Sequence, residues 1–281
     1  MRSSDLTIAL ITDEVSPLLD EGLAFARLEG LSTVDLRVVD GRNVLVLSRS
    51  ELEDVARRVR AAGLKVSCLC TPLLKWNAPG QHSDIKGDQF GFDIGDRPPR
   101  LIYDQAFEAA EILGARHLRI FSYLAYEGYR VEDLRQPLDE LLELADRHDM
   151  KLHVENEGVC NAAGLGHLYD LVTHFDHPRL RALPDIMNAY RAGHPASEDE
   201  LARLLPFTDI LHVKDYSNAA QRTVPVGEGD ISFEKLVAAT LTEHSKPLTL
   251  SIETHAQADL ADQTRRSIAG LRRIIRTLGL P

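Results

Sequence analysis

Residues 151–188, KLHVENEGVCNAAGLGHLYDLVTHFDHPRLRALPDIMN, contain one β-α-β unit, and its reading decides the fold. Lys151–Glu155 and Arg181–Asp185 are short apolar runs, each ending in a carboxylate. Between them, Gly166–His174 repeats its apolar residues at helical spacing. The same alternation continues outward. Strands are expected at Thr7–Ile11, Thr33–Val38, Lys65–Cys70, His117–Phe121, Ile210–Val213 and Thr249–Glu253. Helices are expected at Pro17–Leu28, Arg49–Ala62, Leu101–Leu113, Val131–His148, Ser197–Leu205, Ser232–Glu243 and Asp259–Leu278. Strands alternating with helices read as parallel βα units, and eight units in 281 residues fit a closed α/β barrel, the (β/α)₈ TIM barrel, as a single domain over 1–281. A doubly wound sheet would be favoured by a glycine-rich phosphate loop after an early strand. Ile11–Ser16 holds no glycine, and Gly227-Glu228-Gly229 comes late. Ser16-Pro17 predicts a helix start, with Ser50 an alternative start for the second helix, and Gly30, Gly63 and Gly114 predict helix ends.

Thirty-two Lys and Arg against 43 Asp and Glu leave a formal charge of −11, which opposes nucleic acid and anionic membranes as partners. No apolar run approaches the ~18 residues of a membrane span, and Met1–Asp5 does not read as a signal peptide. Cys68, Cys70 and Cys160 cannot all pair with one another and read as reduced, buried thiols of a cytoplasmic protein.

One connection breaks the pattern. Residues 75–99 have no clear period and contain Trp76, Phe90 and Phe92. In a barrel this stretch rises from a strand's C-terminal end, so it is expected to form a lid over a site.

Acidic and imidazole residues end consecutive strands: Glu155, Asp185, His212 with Asp215, and Glu253 with His255. An apolar strand ending in a charge is costly unless that charge has a partner. Brought to one pole of a barrel, three carboxylates and an imidazole suit one divalent ion, Mn²⁺ foremost, with Mg²⁺, Co²⁺ or Zn²⁺ as alternatives.

The segments His153–Asn156, Leu183–Gly193, His212–Asp215, Val224–Ile231 and Ser251–Glu253 resemble the xylose isomerase-like TIM-barrel superfamily, and within it the sugar phosphate isomerase/epimerase group with its ketose 3-epimerases and inosose dehydratases. The resemblance runs from Asp13-Glu14 and Val34–Arg37 to Glu253. It implies Glu155, Asp185, His212 and Glu253 as metal ligands and Glu155 and Glu253 as the acid/base pair. It also implies Arg222 as a substrate anchor. Asn188 stands where ketose epimerases generally place a substrate-contacting histidine, and it cannot titrate. Lys75, Trp76 and His255 complete the expected substrate site. The implied activity is a metal-dependent isomerase or epimerase acting beside a carbonyl through an enediolate, on a sugar or keto polyol. A dehydratase is the alternative, and a homo-oligomer is compatible with either. An endonuclease IV-like reading shares the barrel, but it calls for further strand-end histidines that Cys70-Thr71-Pro72 and Phe121-Ser122-Tyr123 do not supply.

Overall fold

The computed structural model describes residues 6–236, 238 and 246–278. Eight strands carry it: β1 (Leu6–Leu10), β2 (Thr33–Leu36), β3 (Lys65–Leu73), β4 (His117–Ile120), β5 (Lys151–Glu155), β6 (Leu180–Leu183), β7 (Ile210–Val213) and β8 (Leu248–Ile252). All eight lie where the sequence alternation puts them. Parallel ladders join β2 through β6 in order, and a second parallel group runs β7–β8–β1. Isolated parallel bridges close the ring, Ile11 to Asp35 on one side, and Asp185 to His212 together with Ala182 to Thr208 on the other. The second bridge joins two of the residues singled out from sequence.

The helices are α1 (Leu19–Leu28), α2 (Arg49–Ala61), α3 (Pro99–Leu113), α4 (Arg135–Arg147), α5 (Leu165–Phe175), α6 (Ile186–Arg191), α7 (Glu198–Leu204) and α8 (Leu260–Thr277). The helix expected over Ser232–Glu243 reaches into residues outside the described ones. α1 starts two residues later than Ser16-Pro17 suggests. Its first free amide, Leu19 N–H, is taken by Asp40 Oδ1 at 2.9 Å, while Ser16 Oγ accepts from Leu18 N and donates to Glu21. α2 is capped by Ser48, not Ser50: Ser48 Oγ accepts from Glu51 N–H and Glu51 returns a bond to Ser48 N–H.

The helices bury apolar faces against the outside of the barrel. Within it, Ile11, Cys68, Cys70, Leu183 and Ile210 form a separate dry layer. That layer is the floor beneath the strand-end residues, and all three cysteines are free and buried. No helix among the described residues is long and apolar enough to cross a membrane.

Candidate metal centre

Glu155 ends β5, Asp185 follows β6, His212 lies in β7 and Glu253 follows β8. The barrel brings one donor atom from each within 4.8 Å of the others, with all four side chains buried. His212 Nδ1 is 3.0 Å from Glu155 Oε1 and 3.2 Å from Glu253 Oε2. Contacts with the backbone fix Asp185. Asn156 Oδ1 accepts from Asp185 N–H at 2.7 Å and its Nδ2 donates to Asp185 carbonyl at 2.8 Å. Asp185 also caps α6, with Oδ1 accepting from Asn188 N–H at 2.7 Å. That bond leaves its second oxygen turned to the cluster.

Three buried cations surround these acids. Lys214 Nζ sits 2.8 Å from Asp185 Oδ2 and 2.7 Å from Glu253 Oε2. Arg119 Nη1 lies 3.0 Å from Glu155 Oε2 and 3.5 Å from Glu253 Oε1. Arg37 donates to Glu253 Oε1 at 2.8 Å, to Asp13 Oδ2 at 2.9 Å and to Glu14 Oε1 at 2.5 Å. Burial by itself would raise every carboxyl here. For Glu155 the His212 and Arg119 charges outweigh burial and hold it at about 2. Glu253 is likewise held far below the carboxylate range against burial, by Lys214, His255 and His212. Asp185 goes the other way, up to about 6, because burial outweighs Lys214.

The donor set fits a divalent ion. Adjacent ligands on an octahedral ion with bonds of about 2.1 Å stand about 3.0 Å apart, the spacing His212 keeps from both glutamates. Asp185 Oδ2 and Glu155 Oε2 are buried without a hydrogen bond of acceptable geometry, although cations lie near each. Carboxylate oxygens with one imidazole suit Mn²⁺, Mg²⁺ or Zn²⁺.

Residues 23–274 match the family of xylose isomerase-like TIM barrels. The chain belongs to that family. Solved structures of the same fold include L-ribulose 3-epimerase (14% identity, TM-score 0.74, covering 97% of this chain and 95% of that one). The IolI protein, solved with a bound zinc atom, is 16% identical with a TM-score of 0.73 and 97% of each chain covered. The probable 3-DHS dehydratase AsbF from Bacillus anthracis is 16% identical, with a TM-score of 0.71 over 95% of this chain and 98% of that one. Among curated proteins, no sequence matches this chain.

Above the centre this xylose isomerase-like barrel has a cavity of ≈ 570 Å³. Lys75, Asn188, Arg222 and His255 line it, as do Lys214, Arg191, Glu157 and Phe90. Asn188 Nδ2 donates to Asn156 carbonyl at 3.0 Å and reaches Glu155 Oε1 at 3.4 Å. Lys75 Nζ is held 3.0 Å from Glu157 Oε2. His255 Nε2 lies 3.1 Å from Glu253 Oε1. Trp76 is the exception: it does not line the cavity but is buried against Phe92, ring centroids 6.4 Å apart. Its role is to anchor the 75–99 segment to the core, and Phe90 is the aromatic that faces the site. Asn43 Nδ2 donates to the carbonyls of Gln89 and Phe90, which sets the Phe90 ring 3.9 Å above the Arg37 guanidinium.

Asp215 proves structural. Its carboxylate accepts from the N–H groups of Tyr216, Gly227, Gly229 and Ile231. A Cβ on Gly229 would stand 2.2 Å from Asp215 Oδ1, so the glycine pair serves this close turn rather than a phosphate. His153 also lies outside the site. At the barrel's other pole it bonds His117, ring nitrogens 2.8 Å apart. Sequence reading did not select Arg119, or Arg37 and Glu14 individually. The available signal was a permanent charge inside an apolar strand, as in Leu118-Arg119-Ile120, which burial forbids without a partner.

Proposed function

We propose that this protein is a divalent-metal-dependent isomerase or epimerase of a sugar or keto polyol, moving a proton on carbon beside a carbonyl. The observation that carries this reading is the buried set Glu155, Asp185, His212 and Glu253, together with a substrate-sized cavity whose lining residues Lys214, Asn188 and His255 touch members of that set. A divalent ion held by these four, Mn²⁺ in our reading, would supply stabilisation of the negative charge that develops on the substrate's oxygens.

The chain's own groups do the rest. The neighbouring cations favour the ionised state of Glu155 and Glu253, the state that accepts a proton, and the two lie on strands on either side of His212. One removes the proton from carbon to give the enediolate. The other returns a proton, to the opposite face for epimerisation or to the neighbouring carbon for aldose–ketose isomerisation. Asn188 offers an amide to a substrate hydroxyl, Arg222 and Lys75 anchor the substrate's far end, and His255 sits over Glu253. The 75–99 segment, with Phe90 at the cavity wall, excludes water. Loss of a β-hydroxide from the same enediolate would make the enzyme a dehydratase, and the likeness to the probable dehydratase AsbF is a reason to test it.

A panel of ketoses, aldoses and keto polyols, incubated with Mn²⁺-loaded protein and read by NMR, tests the proposal. Turnover is expected on at least one, with Glu155→Gln and Glu253→Gln each lowering kcat by at least ~10² at matched metal occupancy. Turnover that survives both substitutions would overturn the assigned roles.

A further inference from the structure

We infer that Cys70 is a positioning residue for His212: its sulfur accepts a hydrogen bond from His212 Nε2–H and so holds Nδ1 toward the ion. This rests on the metal centre proposed above. His212 Nδ1 meets Glu155 at 3.0 Å and Glu253 at 3.2 Å. Nε2, on the other side of the ring, is buried and has no oxygen or nitrogen partner. A buried imidazole nitrogen left unanswered is costly. Beneath the ring lies the dry layer that floors the ligands. Cys70 approaches from β3 and Asp35 from β2, and a donor atom of each lies within 4.8 Å of the other's and of His212's. Of the two, the Cys70 sulfur makes the side-chain contact with the imidazole. Sulfur is large and a weak acceptor, so the bond is looser than one to oxygen.

Asp35 is already engaged. Its Oδ1 accepts from Cys68 N–H at 2.8 Å and its Oδ2 from Ser251 Oγ at 2.5 Å. The thiol is held in place from behind. Arg119 donates to the carbonyls of Cys70 at 3.2 Å and Thr71 at 3.4 Å, which fixes the stretch of β3 that presents it. Two other groups of potential ligand atoms offer no such opening. Asp209, beside His117 and His153, is paired with Lys151 and Arg181, and Glu14, beside Glu253 and His255, with Arg37. A ligating histidine whose second nitrogen is held presents the first in one orientation and one tautomer. Because the Cys70 sulfur serves Nε2, across the ring from Nδ1, it acts through the imidazole and is not itself a ligand of the same ion.

Cobalt(II) is a suitable probe, since it takes nitrogen and oxygen ligands and absorbs in the visible. Titration of metal-free protein with Co²⁺, followed by absorption, should show affinity about tenfold or more weaker in Cys70→Ala. Cys70→Ser keeps an acceptor and should recover part of that loss. Cys68→Ala removes the same atom from the same layer and should bind Co²⁺ as the wild type does, which separates positioning from packing. Long-range proton–nitrogen NMR of Zn²⁺-loaded wild type should find the His212 ring proton on Nε2, and that proton should exchange with solvent faster in Cys70→Ala. Unchanged Co²⁺ affinity in Cys70→Ala, or an equal loss in Cys68→Ala, overturns the inference. So does a sulfur-to-cobalt charge-transfer band that disappears with Cys70, because it makes the thiol a ligand. A wild type that binds no Co²⁺ overturns both this inference and the reading beneath it. Metal binding weakened in Cys70→Ala, in a protein that turns over no sugar or keto polyol, would sink the proposed reaction and leave the positioning role standing. Sugar turnover with a Co²⁺ affinity indifferent to Cys70→Ala would do the reverse.

Discussion

Replacing Arg119 by Met should destabilise the metal-free protein far more than the metal-loaded one. Arg119 is buried, and its guanidinium neutralises Glu155 at 3.0 Å and Glu253 at 3.5 Å while Nη2 and Nε donate to the carbonyls of Cys70 and Thr71. A unit-charge pair at ~4 Å in an effective dielectric near 20 is worth about 4 kcal/mol. Deleting one member of a buried pair costs about 3–5 kcal/mol, since the partner charge stays behind. A divalent ion on the same glutamates supplies the missing positive charge. The loss in Arg119→Met should therefore fall by at least about 1.4 kcal/mol when metal is bound, equivalent to a tenfold tighter metal affinity in the variant. Urea unfolding in chelator and in saturating Mn²⁺, for both proteins, measures the two differences. Equal destabilisation in both conditions would refute the claim that Arg119 and the ion answer the same carboxylates.

Elemental analysis should find about one divalent ion per chain, and Asp185→Ala or His212→Ala should empty the site while circular dichroism stays native, because the helices pack outside the barrel. Replacing Asn77–Pro98 by a short Gly/Ser loop should lower turnover much more than Tm. Unchanged turnover would make the segment a mere insertion. Burial holds the His117 imidazole down at about 4, against about 6.5 in the unfolded chain. The fold then binds fewer protons than the unfolded state between those values. Stability should be full above pH 6.5 and fall as pH drops toward 4, by up to about 3 kcal/mol, and His117→Gln should flatten that part of the curve.

The barrel is legible in the sequence because each parallel strand, covered on both faces, reads as an apolar run, and each crossover as a helix. The four strand-end residues are legible for the same reason: a carboxylate closing an apolar run stands out. The cations are not, because their meaning lies across the ring. Arg37 meets Glu253 across 216 residues of chain, so the charge inside Leu36-Arg37-Val38 signals that a partner is needed without saying which one. Trp76 shows the converse error. An aromatic-rich loop suggests substrate contact, yet Trp76 and Phe92 face inward to fasten the loop, and only Phe90 turns to the cavity. α6 was missed because six residues are too few to show a period, although its Asp185 cap is also a site residue.

The central claim is that a proton leaves carbon for a glutamate and another comes back. Once on Glu155 or Glu253 that proton has time to exchange with solvent. The direct measurement is turnover of the identified sugar in deuterated water, with product analysed by NMR and mass spectrometry. The account predicts deuterium on the carbon next to the carbonyl, suppressed with turnover in Glu155→Gln and Glu253→Gln. Isomerised product that keeps all of its original hydrogen and takes up no deuterium would indicate hydride migration between carbons and contradict the account.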